Sequence, residues 1–241
     1  MTEPLFLLIG VTGPSSSGKS TLARLLRQLF PESFILHEDD FYKPEAEIPV
    51  VNGLADWDCP EAIDFESLGK AVSYIKYHES LPSDLNSKEE QNSLGSAPIT
   101  LEEAKQIRQE ILGVERAALN IRFCVVDGFL LFNDLDVISN LDIKLLLRAP
   151  YERLKARREA RNGYATLEGF WQDPPGYFDQ YVWPGYVRSH KHFFENEDVE
   201  GSLTPDAIAK GINTTSKIDV EMHELLRWAL IQIKHALDLK S

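Results

Sequence analysis

Eight residues, Gly13-Pro14-Ser15-Ser16-Ser17-Gly18-Lys19-Ser20, match the pattern G-x-x-x-x-G-K-[ST] in full, and Thr21 follows them. In such a run the glycines let backbone N–H groups turn inward around phosphate oxygens, and a following helix adds the favourable end of its dipole. The Lys19 ammonium supplies a point charge to the β- and γ-phosphates, and the Ser20 hydroxyl is suited to ligating magnesium. The nine residues Gly13 to Thr21 are therefore assigned to a nucleoside triphosphate, with Lys19 also catalytic.

Carboxylates come next. In His37-Glu38-Asp39-Asp40-Phe41-Tyr42, Asp39 is the candidate to accept the proton of an attacking hydroxyl and aim it at the γ-phosphorus, with Asp40 as its local competitor. A free aspartate is a weak base at neutral pH, so orientation and late proton transfer are expected. A helix cap or a solvated turn is the plainer alternative. Val125-Val126-Asp127-Gly128 ends an apolar run in an acid, a position from which a carboxylate holds magnesium directly or through water. Further on, Arg153, Lys155, Arg157, Arg158 and Arg161 place five basic residues in nine positions. Arg157 and Arg161 are four apart and share a helix face. On a mobile lid such arginines neutralise charge on the transferring phosphoryl group and exclude water. A solvated helix salted with Glu152 and Glu159 is the competing reading.

The elements around these residues follow from hydrophobic pattern. Leu5 to Val11 is an almost continuous apolar run, as a strand buried on both faces requires. Leu22, Leu25, Leu26 and Leu29 recur at helical spacing from Lys19 until Pro31. Ser33–His37, Phe123–Val126 and Ile143–Leu147 read as further strands, and Leu101 through Ala118 as a helix. Met222, Leu225, Leu226, Ala229, Leu230, Ile233 and Leu237 mark a C-terminal helix with one apolar face. Strands alternating with amphipathic helices imply an α/β doubly wound parallel sheet, with ligands at the carboxyl ends of its strands. That places Asp39 and Asp127 opposite the phosphate loop.

Residues 1–241 are expected to form one domain, with a lid over about 150–190 and a surface insertion over 81–98, where Ser, Asn, Glu and Pro accumulate without periodicity. No apolar strand is evident after Phe194, and Gly211–Thr215 does not read as a buried one.

The formal net charge is −13, which repels phosphate backbones and anionic lipid and argues against nucleic acid or a membrane as partner. Cys59 and Cys124 alone build neither a disulfide framework nor a metal cluster. The run Leu5–Val11 is too short to span a bilayer, and Met1-Thr2-Glu3-Pro4 lacks a signal peptide's basic flank. A soluble, cytoplasmic monomer is expected.

Further segments carry a resemblance: Trp57-Asp58-Cys59-Pro60-Glu61-Ala62, Val126-Asp127-Gly128-Phe129-Leu130-Leu131-Phe132, Arg148-Ala149-Pro150-Tyr151-Glu152, Asp173-Pro174-Pro175-Gly176-Tyr177-Phe178-Asp179 and Trp183-Pro184-Gly185-Tyr186. Together with the phosphate loop and His37–Lys43, the chain resembles the nicotinamide riboside kinases, particularly those of fungi, and so a nucleoside monophosphate kinase-like fold. Uridine kinases share the phosphate loop and the acidic-aromatic turn but not the Asp173–Asp179 segment. The resemblance implies ATP-dependent, magnesium-dependent transfer to the 5′-hydroxyl of nicotinamide riboside, and of nicotinic acid riboside, in NAD salvage. It leaves GTP open as a donor. By the same resemblance Asp39 accepts the proton and neighbours magnesium, with Ser20 as the other metal ligand; Asp127 joins the metal set from its strand-end position. Asp58 and Arg158 hold the ribose hydroxyls, Arg157 and Arg161 serve the triphosphate, and Phe41 and Tyr42 flank the substrate. Trp57 sits against the base, and Asp40 and Asp173 join the substrate-binding set.

The acceptor's ring is a cationic pyridinium, which suits a pocket of aromatics and carboxylates. Trp57 is the first stacking candidate and Tyr164 the second. Two rivals are weighed: a uridine-cytidine kinase, and a nucleotide-gated switch, for which Ser216-Lys217-Ile218-Asp219 superficially matches a guanine-reading [NTS]-K-x-D motif.

Overall fold

A computed structural model of the chain describes residues 5–85, 87, 97–117, 121–161, 163–165 and 170–240, except the side chains of 114–117, 164, 165, 170 and 240. In chain order its regular elements are β1 (Phe6–Thr12), α1 (Lys19–Leu29), β2 (Phe34–His37), β3 (Val50–Val51), β4 (Leu54–Ala55), α2 (Phe65–His78) and α3 (Leu101–Ala117), the last kinked at Gly113. There follow β5 (Arg122–Asp127), α4 (Leu135–Asn140), β6 (Ile143–Leu146), α5 (Tyr151–Glu159), β7 (Tyr164–Ala165), β8 (Phe170–Trp171), α6 (Trp183–His190), α7 (Pro205–Ala209), β9 (Ile212–Asn213) and α8 (Met222–Lys240). Of the expected insertion over 81–98, residues 86 and 88–96 lie outside the described residues.

Five parallel strands form the central sheet in the order β2-β5-β1-β6-β9. The β1 run is apolar throughout because both faces are covered. Leu7, Ile9 and Val11 point to the layer of α1, α3 and α8, while Leu8 joins the opposite cluster with residues of α2 and α4. A strand's period of two produces this division. The apolar spacing in α1 buries Leu22, Leu25, Leu26 and Leu29, and each such side chain contributes roughly 1.5–3 kcal/mol on leaving water.

The register fixes the site. His37 ends β2 directly beside Asp127 at the end of β5, and Val11 in β1 pairs with Asp127 on its other side. All three strand ends therefore deliver their following loops to one edge, where β1 runs into the phosphate loop.

Two expectations need correction. The chain after Phe194 does carry a strand: Ile212, almost fully buried, pairs with Lys144 of β6, and Asn213 with Leu145. Its two residues are too few to show a period. The sequence suits Pro150 to the first helical position of the basic helix, but it stands one position before α5 as its N-terminal flank, and the helix begins at Tyr151.

Candidate active site

The phosphate loop is shaped by backbone crowding. Gly13 has φ 141°, and a Cβ there would run into the carbonyl oxygen of Leu147 at the end of β6. No side chain fits, so the loop can lie flat on the sheet edge. Ser17 N–H donates to the Pro14 carbonyl at 3.2 Å, closing the turn before Gly18 caps α1. Lys19 is buried and donates to the Pro14 carbonyl at 3.0 Å. Burial lowers its pKa, while the charges of Asp127, Asp39 and Glu38 oppose that shift.

Asp127 faces the loop from the end of β5. His37 Nδ1 lies 3.3 Å from its Oδ2, and the Ser20 hydroxyl also hydrogen-bonds to it. Burial pushes its pKa up, but the His37 hydrogen bond and charge, Lys19 and Ser20 outweigh burial and leave it lowered, so the group is an anion. Asp39 follows β2 in a single 3₁₀ turn, Glu38–Phe41. Its carboxyl is pushed up to about 6, first by burial and then by the charge of Asp127, with Lys19 pulling the other way.

The donor set fits a divalent cation beside phosphates. Asp127 Oδ1, Thr12 Oγ1 and Ser17 Oγ are buried without a hydrogen-bond partner, and orphaned oxygens of this kind ask for a ligand. Among the described residues no group of three or more His, Cys, Asp or Glu side chains could hold a metal by itself. Magnesium characteristically takes one or two carboxylates and completes its shell with phosphate and water.

Glu38, which the sequence reading passed over, organises the turn from beneath. It is fully buried, and its Oε2 accepts the N–H groups of Phe129 at 2.6 Å and Leu130 at 3.0 Å. A Cβ on Gly128 would sit 2.5 Å from that same oxygen, so only glycine allows the two loops to approach so closely. Burial raises Glu38 to about 8.

The basic helix α5 lies over the loop. Arg157 donates to the Ser16 carbonyl at 3.3 Å. Arg161 is exposed, and its charge acts on both Lys19 and Asp39. Arg158, only 7% exposed, points inward. It donates to Ser15 Oγ at 2.9 Å, to both oxygens of Asp58 at 3.3 Å, and to Asp173 at 2.6 and 3.1 Å. Arg157 and Arg158, neighbours on one helix, thus meet the loop at Ser16 and at Ser15. Asp173 spends its oxygens on Arg158 and on the indole N–H of Trp171 at 2.8 Å, so it fixes the arginine.

Beside this pair stands an aromatic wall. Tyr42 meets Trp57 edge-on at 5.5 Å between ring centroids, and Trp57 meets Trp171 at 5.9 Å. Tyr177 accepts the backbone N–H of Trp57 at 3.0 Å and donates to the Ala55 carbonyl at 2.9 Å, locking the strand before Asp58. Tyr42's hydroxyl is pushed well above its usual range, first by burial and then by the charges of Asp39 and Asp58. Phe41, in contrast, is buried with Leu36, Ile63 and Leu68 and serves the core. Asp40 is half-buried in the same turn. The Tyr164 backbone pairs with Trp171 in the β7–β8 hairpin, and its side chain lies outside the described residues. Trp171 was missed by sequence reasoning, and its only sequence signal was an aromatic two residues before Asp173.

The segment Ser216–Asp219 follows β9, but Asp219 is ion-paired with Arg153 of α5, which also reaches Glu221 at 2.7 Å.

A parallel sheet that feeds a glycine-rich phosphate loop into a helix, with an acid and a metal-competent carboxylate on the neighbouring strand ends, defines a P-loop kinase. No protein-family model matches the chain. Curated relatives are more specific. A nicotinamide riboside kinase of Schizosaccharomyces pombe is 45% identical over 96% of this chain and 97% of its own. That of Saccharomyces cerevisiae is 39% identical over 85% and 86%, and nicotinamide riboside kinase 1 of Homo sapiens is 33% identical over 75% of each. The chain belongs to the nicotinamide riboside kinase family.

Proposed function

We propose that this protein transfers the γ-phosphoryl of ATP to the 5′-hydroxyl of nicotinamide riboside, and of nicotinic acid riboside, acting as a cytoplasmic monomer in NAD salvage. The observation that carries the reading is the Asp58–Arg158 pair, buried between Ser15 of the phosphate loop and the wall of Tyr42, Trp57 and Trp171. A carboxylate and a guanidinium held side by side suit a vicinal diol, one accepting and the other donating. The aromatic faces beside them suit a cationic ring.

Gly13–Thr21 bind the triphosphate, and Lys19 neutralises charge that grows on the β–γ oxygens. Asp39 receives the proton of the 5′-hydroxyl as the bond to phosphorus forms. Its raised pKa makes it a better acceptor than a free aspartate. Magnesium, for which Ser20, Asp127 and Asp39 are the residues, would neutralise phosphate charge. Arg157 and Arg161 close over the phosphates as part of a lid spanning about 150–190, within a single domain. ATP is the donor in this reading, and GTP is left open as an alternative.

The test is product analysis after incubation with ATP, magnesium and nicotinamide riboside. A phosphorus resonance coupled to two methylene protons, as a 5′-monoester requires, is expected. Phosphate on a secondary hydroxyl, or release of inorganic phosphate alone, would overturn the proposal.

A further inference from the structure

The histidine that ends β2 is placed by the sheet itself. His37 stands in register with Asp127 of β5, so the backbone turns both side chains to one face, and both are buried. His37 Nδ1 lies 3.3 Å from Asp127 Oδ2. An ionised carboxylate only accepts hydrogen bonds, so Nδ1 carries the hydrogen and donates it. The neutral imidazole in that tautomer and the imidazolium both present this N–H, so the contact does not depend on the ring's charge. The other oxygen of Asp127, Oδ1, is buried without a hydrogen-bond partner, as are Thr12 Oγ1 at the end of β1 and Ser17 Oγ in the phosphate loop. Leaving a buried carboxylate oxygen unpaired is costly, and this one is left so beside a site for a cation. The last torsion of an aspartate is broad, so the plane of the carboxylate is fixed only if a donor holds it.

Resting on the magnesium reading above, we infer that His37 is a positioning residue: its Nδ1–H holds Asp127 by Oδ2 and so keeps Oδ1 turned to the magnesium ion or to a water in its shell. His37 touches neither nucleotide nor acceptor and acts through Asp127. Partners that orient a metal-binding side chain in this way typically change metal affinity by about 10–100-fold. The strand pairing serves the same end, because β2 carries both this donor and, two residues later, Asp39. One strand end therefore sets the proton acceptor and orients the metal carboxylate of its neighbour.

The experiment titrates Mn²⁺, a paramagnetic stand-in for magnesium, into the complex of the full chain with ADP and reads free Mn²⁺ by electron paramagnetic resonance. Two variants separate positioning from packing. His37→Phe keeps a buried ring and deletes the donor, whereas His37→Asn gives up the ring but keeps a side-chain N–H at the place of Nδ1. His37→Phe is expected to weaken Mn²⁺ binding by about 10–100-fold, and His37→Asn to retain most of the wild-type affinity. A residue that only packs would give the reverse order, and that order would overturn the inference, as would unchanged affinity in His37→Phe. Binding of ADP without metal should be equal in all three proteins. An equal loss there in His37→Phe would also overturn the inference, because the phosphate loop and not the metal carboxylate would then be disturbed. Should His37→Phe not fold, ¹⁵N–¹H spectra of the wild type with magnesium and ADP decide, the His37 signals being those absent from His37→Asn. Nδ1 must carry a proton in that complex; an unprotonated Nδ1 would refute the hydrogen bond. A wild-type complex that binds no Mn²⁺ would refute the magnesium reading itself, so the two failures are distinguishable.

Discussion

In the proposed mechanism three side chains divide the chemistry, and each has a different kinetic signature. Lys19 holds charge that increases toward the transition state, so Lys19→Ala should lower kcat by about 10²–10³-fold. Asp39→Asn removes the proton acceptor but keeps the shape. It should lower kcat by roughly 10²–10⁴-fold with nucleotide affinity little changed, and a near-normal kcat in steady-state assays would remove Asp39 from the mechanism. Asp39 must be ionised to accept a proton, and burial with the Asp127 charge places its pKa at about 6. The kcat/KM profile of the free enzyme should therefore fall as pH drops through about 6, a limb that Asp39→Asn abolishes. Arg158→Ala differs, because Arg158 neutralises Asp58 and Asp173 together. Acceptor KM should rise, and leaving buried carboxylates unpaired should cost about 3–5 kcal/mol of stability, read as a lower Tm. Lysine is no substitute where a planar fork spans two carboxylates.

At the scale of elements, the site depends on loops that lie close to the sheet edge. Gly13→Ala combines a strained φ with a collision against the Leu147 carbonyl. It should cost about 1–3 kcal/mol and abolish the rise in Tm that ATP produces in the wild type. The central strands were legible because a parallel strand covered on both faces has no polar face to hide; Leu5–Val11 and Phe123–Val126 announced β1 and β5 by composition alone. The phosphate loop was equally plain, being contiguous in sequence. What sequence concealed was pairing across distance. Glu38 and Gly128 are 90 positions apart in numbering yet share one contact, and nothing local marks either. Phe41 and Tyr42 are adjacent aromatics, but the 3₁₀ turn sends the first into the core and leaves the second against Trp57. β9 was missed because pairing with β6 defines it, with Ile212 its sole apolar residue.

For the molecule as a whole, buried acids tie stability to pH. Glu38, held at about 8 against an ordinary 4.5, binds its proton more tightly folded than unfolded. Its contribution is therefore complete below pH 4.5 and is lost as pH rises through about 8. Nucleotide-free protein should lose thermal stability as pH rises from about 4.5 to about 8, and Glu38→Gln, which cannot ionise, should flatten the loss in a calorimetric series. The central claim is that the aromatic wall beside the buried Asp58–Arg158 pair selects a pyridinium riboside. The most direct measurement is competitive turnover of nicotinamide riboside against uridine and cytidine, with ATP and magnesium in excess. The account predicts a kcat/KM ratio favouring nicotinamide riboside by about a hundredfold or more; equal or preferred turnover of uridine or cytidine would contradict it.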